Sequence, residues 1–185
     1  FFLSYDKLEA EVPQETGPTG SSAPVQIPGV SVAEYNRVLD IMNRVYGYDA
    51  GALGSVLPEE DEKILARVDW NINENHRALV TYQRTKGNQT SDTGNSVSGR
   101  TIATLSHLYD RAITLEQYTG QIFSNWTDNF STEFKVGRKE VVTRQDSLRG
   151  TDFPEIEVRT AAGAVINVGP DEFRHANFLT NDLNT

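Results

Sequence analysis

Two stretches of the chain share one layout: an alternating run, a tryptophan, a short Asn-rich turn and a second alternating run. The first is ILARVDWNINENHRALVTYQR, residues 64–84, and the second is YTGQIFSNWTDNFSTEFKVGR, residues 118–138. Trp70 and Trp126 are the only tryptophans, and they hold the same place in the two copies. Period-2 alternation broken by a polar turn reads as a β-hairpin. Two such units predict an antiparallel wall whose tryptophan turns lie at one common level, as at a membrane surface.

Each strand has two chemically different faces. Ile64, Ala66, Val68 and Trp70 lie on one side, with Arg67 and Asp69 on the other. After the turn, Ala78, Val80 and Tyr82 oppose Leu79, Thr81 and Gln83. In the second copy, Tyr118, Gly120, Ile122, Ser124 and Trp126 oppose Thr119, Gln121, Phe123 and Asn125. Phe134 and Val136 oppose Glu133 and Lys135. An apolar face ending in tryptophan fits a membrane girdle, where the indole N–H stays wet and the ring meets the acyl boundary. Trp70 and Trp126 are therefore the candidate membrane-interface aromatics. Arg67, Asp69, Gln83, Gln121, Asn125, Glu133 and Lys135 fall on the candidate lumen face, as substrate-path residues or as a polar lattice in the wall.

Residues 1–9 read as a strand, and 10–31 as a loop rich in Pro, Gly, Ser and Thr. The spacing of Val32, Tyr35, Val38, Leu39, Met42 and Tyr46 predicts a helix over 31–47, opened by a Ser31/Glu34 capping box. It lies within a long loop, 10–59, whose end carries the acidic run Glu59-Glu60-Asp61-Glu62. Hairpins are expected over 60–85 and 118–140, and a small one within 155–168. The remaining long links are 86–100 and 145–172. Short turns on one side and long loops on the other are the rule for outer-membrane barrels, and ~9–11 tilted residues span a bilayer. The fold expected is all-β: antiparallel up-and-down strands of a transmembrane β-barrel, with one short helix in an external loop. A soluble β-sandwich for adhesion or carbohydrate binding gives the same alternation.

Composition narrows the function. The 185 residues include 17 basic and 26 acidic side chains, a net charge of −9, so a nucleic-acid partner is not expected. There is no cysteine, which removes thiolate metal sites and cysteine nucleophiles from this stretch. His76, His107 and His175 have no partners at metal-ligand spacing; they are read as lying in a turn, a long strand and a terminal loop. The acidic run lacks the spaced ligands of a calcium loop and reads as a solvated loop edge. With no nucleophile elbow and no phosphate cradle, neither an enzyme nor a cofactor is expected. The chain starts at Phe1 inside an apolar run and reads as an internal segment of a longer protein.

The strings PEEDEKILARVDWNINENHRALVTYQRT, YTGQIFSNWTDNFSTEFKVGRKE and GTDFPEIEVRT…GPDEFRHANFLTND resemble the β-barrel of Oar-like TonB-dependent outer-membrane receptors. FFLSYDKLEAEVPQ also fits the strand before a long external loop in that group. The resemblance covers most of the chain in the same order and is weakest in the loops 10–58 and 86–100. It implies a transporter of the bacterial outer membrane, with a plug domain and a barrel of about 22 strands. Residues 1–185 would form part of that barrel, in contact with outer-membrane lipid. The transported ligand is not named by these residues. Contact with the TonB complex would run through parts outside them.

Overall fold

A computed structural model describes residues 1–92, 94–174 and 178–184 of the chain. Six long strands form one antiparallel sheet, each paired to the next along the chain: β1 (Phe2–Pro13), β4 (Val56–Asn71), β5 (His76–Ser91), β7 (Tyr109–Thr127), β8 (Phe130–Ser147) and β11 (Phe178–Asn184). The class is all-β with a single α-helix. The sheet is open, and no closed barrel forms among the described residues. Among the described residues, no helix is long and apolar enough to cross a membrane, a statement that does not bear on strands.

The chemistry of the turns explains the meander. In the link 72–75, the Asn73 side chain accepts from the backbone N–H of both Asn75 and His76, each at 2.9 Å. This is the local bond that makes Asn a turn residue. Asp128-Asn129 joins β7 to β8, and a register shift between Asn125 and Thr127 bends the strand into that turn.

The strands run further than alternation alone predicts. β4 begins at Val56, so Glu59-Glu60-Asp61-Glu62 lies inside a strand and is not a loop edge. β5 takes residues 86–91 out of the expected loop, and β8 continues to Ser147. Cross-strand partners make these polar stretches tolerable as strand. Glu62 faces Lys7 on one side and Lys86 on the other, and opposite charges in register stabilise a pair.

The hydrophobic core lies outside this sheet. Residues 14–55, 94–108 and 148–172 fold into a cap on the long-loop end, and most of this cap was expected to be loop. It contains the parallel pair β2 (Thr16–Thr19) and β3 (Val25–Ser31), helix α1 (Val32–Tyr46), and a three-stranded sheet. That sheet has the order β6 (Thr101–Ala103), β10 (Val165–Val168), β9 (Ile156–Arg159). Ile27, Val30, Tyr35, Met42, Ile102, Ile166 and Val168 form one buried cluster, so three links distant in sequence share one core.

Ser31 caps α1, and its own N–H and hydroxyl bond the Glu34 carboxylate at 3.0 and 2.7 Å. Gly47 ends the helix in the left-handed region at φ 66°, a conformation that favours glycine. Tyr35 is the central tie. Its hydroxyl donates to Ala103 O at 3.0 Å and accepts from Leu53 N–H at 3.3 Å. Burial pushes its phenol above the ordinary range. Tyr46, placed on the apolar stripe by spacing, is instead 60% exposed and meets the Phe153 ring edge-on.

Candidate functional site: the two faces of the long sheet

In an antiparallel sheet, directly opposed residues share a face. The register aligns Leu3, Ala66, Tyr82 and Tyr118, and next to them Val68, Val80, Gly120 and Val136. A third row is Trp70, Ala78, Ile122 and Phe134. On this face Leu3, Tyr5, Val68, Trp70, Val80, Tyr118, Ile122, Trp126, Phe134 and Val136 are each 46–70% exposed. Soluble monomers rarely expose contiguous apolar patches beyond a few hundred Å², so this surface calls for a cover.

Both tryptophans sit at the short-turn end of that face. Trp70 is level with Ile122, and Trp126 lies four residues beyond Ile122 toward the turn, so the two rings are offset along the strands. Trp126 donates from Nε1 to Thr132 Oγ1 at 2.9 Å and meets the His76 ring edge-on at 5.0 Å.

Toward the cap, the apolar rows give way to charge on the same face. Arg84 lies 3.4 Å from Glu116 and 3.9 Å from Glu62. Arg138 pairs with Glu140 at 3.1 Å and with Asp182 at 3.7 Å. This charged border was not anticipated. Its signal was available, because Arg84 and Glu116 share strand parity with Tyr82 and Tyr118.

The register puts Arg67, Asp69, Gln83, Gln121, Asn125, Glu133 and Lys135 together on the opposite face. Arg67 grips Asp69 with two bonds of 2.7 and 2.8 Å. Gln121 donates to Glu133 at 3.1 Å and stands opposite Lys135. Gln83 faces Gln117 across the β5–β7 pair. The Asn125 N–H donates to Asn75 O at 2.8 Å and ties the two short turns. Arg77 covers the Phe123 ring at 4.8 Å, a cation–π contact. These seven residues form local pairs, not one converging constellation.

The histidines divide differently from the sequence reading. His107 is not on a long strand. It lies in a 3-10 turn, Leu105–His107, and is buried in the cap. Its Nδ1 is 3.2 Å from Gly169 O, and its Nε2 is 3.9 Å from an Asp171 oxygen. His175 lies outside the described residues. Among the described residues, no group of three or more His, Cys, Asp or Glu is placed to hold a metal ion. No family model, curated protein or solved structure matches the chain.

Proposed function

We propose that this chain is wall and outer loops of an Oar-like TonB-dependent receptor in the bacterial outer membrane, a protein that takes up a ligand across that membrane. The observation that carries the reading is the coincidence of three boundaries on one sheet. An exposed apolar face ends in tryptophans at the short turns, ends in ion pairs toward the long loops, and backs onto a polar face.

A bilayer supplies the cover such a surface needs. Lipid would meet the Val80/Ile122/Phe134 side, and water or other parts of the protein would meet the Arg67/Gln121/Glu133 side. The strands β4, β5, β7 and β8 are 16–19 residues long. A tilted strand needs only ~9–11 residues to span. The surplus would carry the cap clear of the membrane on the outer side. Lipid and an incoming ligand are the partners expected here, and coupling to the TonB complex would lie in other parts of the protein.

Fractionation of cells expressing the full-length protein tests this. The protein is expected with outer membranes, migrating differently on a gel before and after heating. Recovery wholly in the soluble fraction would sink the proposal. Residues 1–185 folding as a monomer in water without detergent would favour a soluble sandwich instead.

A further inference from the structure

We propose that the cap carries a binding site for a neutral saccharide. A cavity of about 460 Å³ lies between the end of β1, the β2–β3 link, the first turns of α1 and residues 52–55. That volume is in the range of ligand clefts, about 300–1,000 Å³. The inference stands on the cap alone and does not depend on what covers the long sheet.

The chemistry of the lining selects the ligand. The chain has 17 basic and 26 acidic residues, yet none of them lines this cavity. An anion would find no cation there. It would also approach the Asp92 carboxylate, which holds Gln14 Nε2 at 3.0 Å behind the wall. Asp92 is itself occupied by Gln14, Thr16 and Asn95, so a cation would find no free carboxylate.

What the cavity offers is uncharged hydrogen-bonding capacity over an apolar floor. The side chains of Asn36, Ser22 and Ser55 are exposed at its rim and face solvent, and Gln14, which is buried, gives its Nε2 to Thr16 and Asp92. An amide supplies both donors and acceptors, and a hydroxyl does the same. That is the complement of a polyol. A purely hydrocarbon ligand would displace water from these groups without replacing its hydrogen bonds, at a cost.

A peptide is disfavoured by the backbone. Extended peptides are usually taken up by ladder bonds to a sheet edge. Pro13, Pro18 and Pro24 all line this cavity, and proline has no N–H to give.

The site is also built in advance. Tyr35, buried in the core, forms one wall and is fixed by its two hydrogen bonds. A Cβ on Gly17 would come within 2.5 Å of Ser21 Oγ and 2.7 Å of the Ala23 side chain, so the β2–β3 link is already closed on itself. A preformed cleft loses little freedom on binding.

The test is ligand-observed saturation-transfer NMR on the full chain in lauryldimethylamine oxide, a detergent without sugar. Maltose, cellobiose and N,N′-diacetylchitobiose serve as probes, with tetra-alanine as control. At least one disaccharide is expected to saturate in the millimolar range. Asn36→Ala and Ser55→Ala should each weaken it by about five- to tenfold, the effect of one lost hydrogen bond, with unchanged melting. Ala23→Trp, which fills the cavity, should abolish it; if that variant does not fold, the two alanine variants decide. Failure of all three disaccharides to bind, indifference to both alanine variants, or equal binding of tetra-alanine would overturn the proposal. None of these outcomes touches the fractionation result.

Discussion

The cap and the long sheet are built from the same chain by opposite means. In the cap, Ile27, Val30, Ile102, Ile166 and Val168 are each fully buried. In the sheet away from the cap end, Leu79 is the one large apolar side chain that is buried among the described residues. The cap is therefore held by side-chain packing. The sheet is held by its backbone ladder, and its apolar side chains await a surface. The difference teaches that loop and scaffold are reversed here in the usual sense: the part with a packed core is made of the links.

The largest expected effect attacks the cap. Ile166→Ala removes a fully buried side chain and should cost about 2–5 kcal/mol. Hydrogen exchange should show lost protection in 101–108 and 156–168, with the hairpins of β4–β5 and β7–β8 unaffected. Equal loss in both regions would end the claim that the two are held separately. Next comes the sheet in lipid vesicles. If the proposed bilayer covers the apolar face, Val80→Arg should cost about 2–4 kcal/mol, while Thr81→Arg on the other face should cost little. Equal costs in equilibrium refolding would erase the distinction between the faces.

Tyr35→Phe strands the Leu53 N–H and the Ala103 carbonyl and should cost about 1–3 kcal/mol in cap melting. The wild-type tyrosine also predicts an alkaline limit. Burial raises its folded value, so its contribution is complete below about pH 10 and is lost as pH rises toward the folded value. The smallest effect is at the helix start. Ser31→Ala should cost about 1 kcal/mol. The Ser31 backbone N–H, and then its hydroxyl, hold Glu34 below the usual carboxylate range. That stabilisation is present above the ordinary glutamate range and fades as pH falls through the folded value. Helix content followed by circular dichroism against pH checks both.

The hairpins were legible because alternation and Asn-rich turns are local signals that agree. The helix was legible because Ser31 and Glu34 mark its start and Gly47 its end. Strand parity also sorted the seven polar residues from the two tryptophans, since a meander without crossovers preserves parity from strand to strand. The cap was not legible. β2 and β3, TGPT and VQIPGVS, contain the Pro and Gly that normally interrupt strands. Their pairing is parallel, and their core partners lie up to more than a hundred residues away, as with Gly29 O and Thr160 Oγ1 at 2.9 Å. The polar strand ends 59–62 and 86–91 were hidden for a related reason. Their support comes from neighbours across the sheet, not from their own composition. The cavity beside Tyr35 lies within one link, where residues 13–36 and 52–55 meet only once the chain has folded back on itself, and it has no motif.

The shared core of the three links also decides where foreign sequence can be grafted. Long loops are ordinarily the safest insertion points, but here the answer differs from one position to the next. Gly163, in the β9–β10 turn, has nothing within 4 Å of a Cβ built on it, so an epitope tag there would project into solvent. At Gly169 the same Cβ would sit 2.2 Å from Pro154 O, and a tag would split the cap. A display scaffold made from this chain would thus present its cargo from the five-residue β9–β10 link, 160–164, or from Gly20 or Gly150, which are equally open, while positions such as Gly169 are already occupied.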